Sequence, residues 1–241
     1  MPTPAPAEDF AKRYGLDAIP ESVRRLGELI SRPDATTEDI AKLIGKDKDF
    51  TARLLREANP KAESEADYTA TTVEEALQRT GMGSVLLVAM HYPLMSAVHK
   101  TFLTMLGAEL KPLAAAALPF EGEHVLCEIT FTGKATGTAA LRLTPPTASQ
   151  VAARVLGLPP ADLTDAAAID DVVCELSNMI VGNFKSNLCD AGLTCKLSTP
   201  ALTRTSDFKL RATEGALAKR IGLHAPDLVL VVDLNVNPWA D

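Results

Sequence analysis

Apolar positions recur at helical spacing through the first third of the chain and switch to short strand-like runs beyond it. In "LDAIPESVRRLGELI", Val23, Leu26, Leu29 and Ile30 fall on one helical face, with Pro20 near the first turn. "PDATTEDIAKLIGKD" predicts a second helix, capped by Thr36 or Thr37, with Ile40, Leu43 and Ile44 inward. "KDFTARLLREANP" predicts a third, stopped by Asn59-Pro60. After a polar loop, "TTVEEALQRTGMGSVLLVAM" opens on Thr71 or Thr72, with Glu74 or Glu75 at the capping-box position. Gly81 and Gly83 break this helix and a second apolar helix follows; Pro93 is expected to interrupt that one in turn.

Further on, "VHKTFLTMLGAEL" is amphipathic and helical, and "HVLCEITFTGKATGTAALRLT" is a β-hairpin around a glycine-bearing turn. "PPTASQVAARVLGL" is a short helix opened by proline. "ADLTDAAAIDDVVCELSNMIVGNFKSNLCDAG" is a long helix ending near Gly192. "LTCKLSTPALTRT" and "DLVLVVDLNVN" each predict a strand; "KLRATEGALAKRIGLHAP" between them is polar and irregular, with room for a short helix. The basic clusters in "RRLGELISR" and "LAKRIG" are expected on solvated helix faces. The fold class is therefore α+β: a small all-helical module, then a sandwich of helices on a mostly antiparallel sheet. The predicted division is a Pro/Ala-rich mobile tail at 1–15, a helical module at 16–95 and the α+β domain at 96–241.

Composition narrows the function. The chain has 241 residues, 46% hydrophobic, with a formal net charge of −7. That charge opposes general nucleic-acid coating, which needs a cationic surface. No apolar run reaches the roughly 20 residues of a membrane span, and "MPTPAPAEDF" lacks the pattern of a secretory signal. Cys127, Cys174, Cys189 and Cys195 form no CxxC pair and are expected to be reduced and mostly buried, which points to the cytoplasm. The four histidines are scattered, so no metal site is expected. Trp239 packs either on the domain or at a dimer seam.

One helix carries the candidate chemistry. In "DDVVCELSNMIVGNFKSNL", Ile169, Val172, Val173, Leu176, Met179, Ile180 and Phe184 fall on one face at about 100° per residue. Asp171, Glu175, Asn178 and Gly182 fall on the other. Asn and Gly are poor helix formers, costing about 0.5 and about 1 kcal/mol relative to Ala. A glycine there admits a foreign surface to the backbone, or marks where another element crosses. Glu and Asn three residues apart are neighbours, and such pairs are commonly just solvated.

The longer string resembles the signature helix of the CheC/CheX/FliY chemotaxis phosphatases, most closely the CheX branch. It carries Glu175-x-x-Asn178, Met179-Ile180, Gly182-Asn183 and Lys185 in order. "TFLTMLGAEL", "EITFTGKATGTAALRLT" and "LSTPALT" resemble the flanking first helix, hairpin and strand. The resemblance implies a CheX-like domain, and a phosphatase acting on a phosphorylated CheY-like response regulator. It implies that Asn178 orients the attacking water, that Glu175 contacts the regulator's lysine, and that Asp171 and Gly182 belong to the docking face. No intrinsic cofactor is implied, and Mg2+ is expected on the regulator. Only one full Glu-x-x-Asn occurs, which suits the CheX branch and carries over a possible homodimer. The helical module resembles the opening of an HDOD domain, through "LGELISRPDAT", "DIAKLIGKD" and "ARLLREAN". This implies a signalling or interaction module, and no His-Asp dipeptide is present to form a metal dyad. The rival reading is a non-catalytic adaptor that grips a regulator or another signalling protein.

Overall fold

In a computed structural model of the protein, residues 20–30, 32–113, 122–209 and 216–237 are described. The expected tail at 1–15 and Trp239 lie outside them, as do residues 210–215 of the segment with room for a short helix. Six α-helices and a seven-stranded antiparallel sheet result among these residues, an α+β fold as expected.

Three helices come first: α1 (Glu21–Ile30), α2 (Thr37–Ile44) and α3 (Lys48–Ala58). Thr36 caps α2 in a reciprocal box with Asp39, and the Asp47 carboxylate accepts from the Phe50 N–H to cap α3. Helix α4 (Val73–Leu106) opens on Thr72 and Glu75. It breaks at Gly81, whose φ of 71° suits a residue without Cβ. Beyond that break it runs unbroken through Pro93, so His91 and His99 stand on one helix, contrary to expectation. Burial overrides the missing N–H: Pro93 is inside the core, and its carbonyl accepts a hydrogen bond from Asn187 Nδ2 at 3.2 Å. The amphipathic segment ends at Gly107 in a left-handed C-cap, and residues 111–113 become a strand instead.

The remaining elements are β1 (Lys111–Leu113), β2 (His124–Gly133), β3 (Gly137–Leu143), α5 (Pro145–Leu156), α6 (Ala166–Asp190), β4 (Cys195–Leu197), β5 (Ala201–Thr205), β6 (Leu217–Ala225) and β7 (Leu228–Val236). The sheet order is β1-β6-β7-β3-β2-β4, and β5 also pairs with β2. The stretch read as one strand, "LTCKLSTPALTRT", is two, because Ser198-Thr199-Pro200 interrupts it. β5 pairs along His124–Glu128 and β4 along Phe131–Gly133, while the Ser198 hydroxyl accepts from the Thr130 N–H at 3.0 Å. The segment read as irregular contains β6, paired with both β7 and β1. Its alternation of Leu217, Ile221, Leu223 and Ala225 is masked by Lys219 and Arg220, which are not on a solvated helix. Lys219 pairs with Glu57 of α3, and Arg220 bonds Asp233 at 2.7 Å.

Two apolar cores share α4. Leu86, Leu87, Met90, Leu94 and Val98 pack toward the sheet with Val125, Ile129, Leu141, Leu230 and Leu234. Val85, Val88 and Ala89 pack with Val23, Leu26, Ile44, Phe50 and Leu54. A helix apolar on every side is a buried helix. By length and composition α4 could cross a membrane, but 67% of its most apolar stretch is buried in the protein itself. The N-terminal core also includes Ala191, the residue just past α6. Gly27 of α1 abuts it so closely that an added Cβ would fall 1.7 Å from the Ala191 carbonyl oxygen.

The sheet face away from the helices is polar. Asp233, only 4% exposed, accepts from both Arg142 and Arg220. The two guanidinium groups also donate to the carbonyls of Asp207 and Phe208, and the Phe208 ring lies 4.0 Å from the Arg220 guanidinium. The arrangement clamps the chain after β5 onto the sheet and leaves beside it a basin of about 480 Å³ with Thr130, Thr138, Thr203 and Asn235 on its walls.

Two predictions follow from this packing. Gly27→Ala should lower the unfolding free energy in urea by about 3 kcal/mol, the upper end of overpacking costs. The second concerns acid. Burial, with the Arg53 and Lys219 cations nearby, lowers His91 to about 3, and burial lowers His99 to about 4. Both are neutral in the folded protein, whereas an unfolded histidine takes up its proton near pH 6.5. Their contribution is complete above about pH 6.5 and is lost as pH falls toward 3–4. Unfolding free energy should therefore drop by about 2 kcal/mol between pH 6 and pH 5, and by about half that in His91→Gln.

Candidate functional site

Helix α6 begins where the Asp165 carboxylate accepts from the Ala167 N–H at 2.9 Å. Val172, Val173, Leu176, Ile180, Val181, Phe184 and Leu188 are buried, and the Phe184 ring meets Phe131 of β2 edge-on at 5.5 Å. The Ser177 hydroxyl, also on the buried side, donates back to the Val173 carbonyl at 2.8 Å. Met179 and Ile169 are only partly buried at the border of this face.

Three further contacts hold the helix in place. Asp170 pairs with Arg204 of edge strand β5 at 2.5 Å. Asn187 reaches the Pro93 carbonyl of α4. Ala191, past the helix end, sits in the N-terminal core. The helix is thus attached to the sheet edge, to α4 and to α1.

Asp171, Glu175 and Asn178 are exposed, as the helical wheel predicts, and Gly182 continues their stripe one turn further. Among the described residues, neither Glu175 nor Asn178 has a side-chain hydrogen-bond partner. A Cβ added at Gly182 would meet nothing within 4 Å, so none of the described elements crosses the helix there. The stripe therefore presents, in order, a carboxylate, a second carboxylate, a carboxamide and an uncovered length of backbone. A carboxylate can bind a partner's ammonium group. A neutral carboxamide can hold a water beside an anion without repelling that anion.

One neighbour went unnoticed in the sequence. Cys174 approaches Cys127 of β2, with the two Sγ atoms 3.9 Å apart. Spacing could not reveal it, because 47 residues separate the pair. All four cysteines are free thiols; Cys127 and Cys195 are buried, Cys174 and Cys189 partly so. Among the described residues no group of three or more His, Cys, Asp or Glu side chains is placed to hold a metal ion.

The C-terminal part is thus an α+β domain that offers one polar helix face, fixed on its apolar side by the sheet. Residues 125–221 match the family described as Chemotaxis phosphatase CheX, and residues 16–119 match the HDOD domain. The chain thus carries an HDOD-like helical segment followed by a CheX-like domain. Among solved structures, the chemotaxis protein CheX from Vibrio vulnificus is similar at a TM-score of 0.52 and 20% identity, over 61% of this chain and 96% of that one. A chemotaxis protein CheX from Desulfovibrio desulfuricans gives a TM-score of 0.50 and 20% identity, over 61% and 99%. Both share the fold. No curated protein matches the chain.

Because Gly182 has open space around it, Gly182→Ala should raise the unfolding free energy by about 0.5–1 kcal/mol through helix propensity alone. Urea or thermal unfolding measures this directly; a loss of stability would show that the position is not open.

Proposed function

We propose that the protein is a phosphatase that hydrolyses the phosphoaspartate of a CheY-like response regulator. The observation that carries this reading is the outward presentation of Glu175 and Asn178, side by side on the long helix of a CheX-family domain. The Glu175 carboxylate binds a lysine ammonium of the regulator, and Asp171 extends the acidic stripe by one turn. Gly182 lets the partner's surface come close to the helix backbone. Asn178 then stands over the phosphoryl group. Its carboxamide oxygen accepts a hydrogen bond from a water and turns the water's lone pair toward phosphorus. The water oxygen attacks in line as the bond between phosphorus and the aspartyl oxygen breaks. The electron pair of that bond returns to the aspartate carboxylate, and the water's proton leaves with inorganic phosphate or passes to solvent.

Phosphoryl transfer of this kind depends on positioning and charge neutralisation more than on covalent chemistry. The protein supplies the positioning. Mg2+, which offsets the phosphoryl charge, comes with the regulator. An anion in place of Asn178 would repel the phosphoryl group, whereas Glu175 is suited to its cationic target. The division between one neutral polar group and one carboxylate follows from the two charges they face. The HDOD domain acts as the interaction module, and the setting is cytoplasmic two-component or chemotaxis-type signalling.

Decay of phosphorylated regulators from the same cell tests the proposal. Wild type should speed the decay of at least one of them. Asn178→Ala should slow the catalysed rate about 100-fold while binding persists, because a misplaced nucleophile costs that much. Glu175→Ala should weaken binding about tenfold, the scale of a lost interfacial charge pair. If wild type binds a regulator and leaves its decay unchanged, the adaptor role replaces the enzymatic one.

A further inference from the structure

The sulfur pair beneath the helix has no part in the reaction above, yet it lies against the residues that perform it. Cys174 precedes Glu175 and stands one turn from Asn178, close enough for adjacent side chains. Its partner, Cys127, comes from the central part of β2 and is fully buried. Their sulfurs are 3.9 Å apart and both are free thiols. Two buried cysteines can simply fill space as small apolar side chains. This pair differs in that Cys174 is only partly buried, so one of the two residues meets solvent while the other's sulfur already lies beside its own.

We propose that Cys127 and Cys174 form an oxidisable dithiol, which a two-electron oxidant of the peroxide class closes into a disulfide that draws α6 toward β2 and lowers the activity of the Glu175–Asn178 face. The effect on activity rests on the phosphatase reading; the closure does not. The Cys174 sulfur attacks one peroxide oxygen, the O–O bond breaks, and a sulfenic acid and one water form. The Cys127 sulfur then attacks the Cys174 sulfur. The S–S bond forms, the S–O bond breaks, and hydroxide leaves with the Cys127 proton as a second water. Two thiols lose two electrons in total, and one peroxide becomes two waters.

The geometry sets the consequence. A disulfide holds its sulfurs about 2 Å apart, so the pair must close by nearly half its present separation. Part of that closure is side-chain rotation. The rest falls on α6, because Cys127 lies in a strand paired on both sides, to β3 and to β5. Burial pushes the Cys127 thiol up to about 12. Oxidation therefore starts at Cys174, and the second step is the slow one.

The full chain, reduced and then exposed to hydrogen peroxide, tests this. After the remaining thiols are blocked with N-ethylmaleimide, mass spectrometry of the digest should find a peptide linking Cys127 to Cys174, and dithiothreitol should abolish it. The oxidised protein should speed phosphorylated-regulator decay about tenfold less than the reduced protein, the scale of a small displacement at a reacting centre. Cys174→Ser should show neither the link nor the loss, and Cys127→Ala serves as the second control. Absence of the linked peptide overturns the proposal, and so does closure with an unchanged rate. A reduced protein inert toward every regulator sinks the phosphatase reading alone. The linked peptide, with a rise in Tm on oxidation that Cys174→Ser lacks, then decides the dithiol.

Discussion

Between Ser84 and His99 helix α4 is buried on nearly every side because two cores make opposite claims on it, and the rest of the chain is arranged by that shared burial. One side takes Leu86, Leu87, Met90, Leu94 and Val98 into the sheet core, and another takes Val85, Val88 and Ala89 into the N-terminal core. The pressure to bury both sides is strong enough to keep Pro93 inside a continuous helix, although the ring removes a backbone donor. It also explains why a stretch apolar enough for a membrane sits within the protein. The two cores meet along one rod rather than across a linker.

Helix α6 inherits its position from that rod and from the sheet. Asn187 bonds to the carbonyl of the very proline that α4 accommodates. Ala191 completes the N-terminal core, and Gly27 is small because the Ala191 carbonyl occupies the space a side chain would need. With Phe184 against Phe131 and Asp170 tied to Arg204, both flanks and the end of the helix are engaged. What remains free is the polar stripe. Asn178 and Gly182 weaken the helix slightly, and packing elsewhere supplies the stability that lets them stay. The N-terminal helical module touches the end of α6 directly, through α1 and the Ala191 contact.

The opposite face of the sheet shows how charge is buried in this protein. Asp233 is shared by Arg142 and Arg220, and their remaining donors hold the carbonyls of Asp207 and Phe208. Buried charges persist only when paired and hydrogen-bonded, and here the pairing also secures the segment that leaves β5. These residues come from β3, β6, β7 and the chain after β5, so none of them announces the others along the sequence.

Local pattern alone determined most of the helices, the β2–β3 hairpin and the solvent-facing stripe of α6. Helical periodicity and capping chemistry act over a few residues, and a wheel drawn on α6 already separates Glu175 and Asn178 from Val173 and Phe184. Tertiary structure decided the rest. Pro93 stays helical and β6 forms despite Lys219 and Arg220, because distant partners outweigh local preference at both places, while β2 pairs with the strand after α6 on either side of Ser198-Thr199-Pro200. Glu57 takes Lys219, and Asp233 takes Arg220. The meeting of Cys127 with Cys174 belongs to the same class, since only the packing of a helix on a sheet brings a strand residue to a helix residue so far away along the chain.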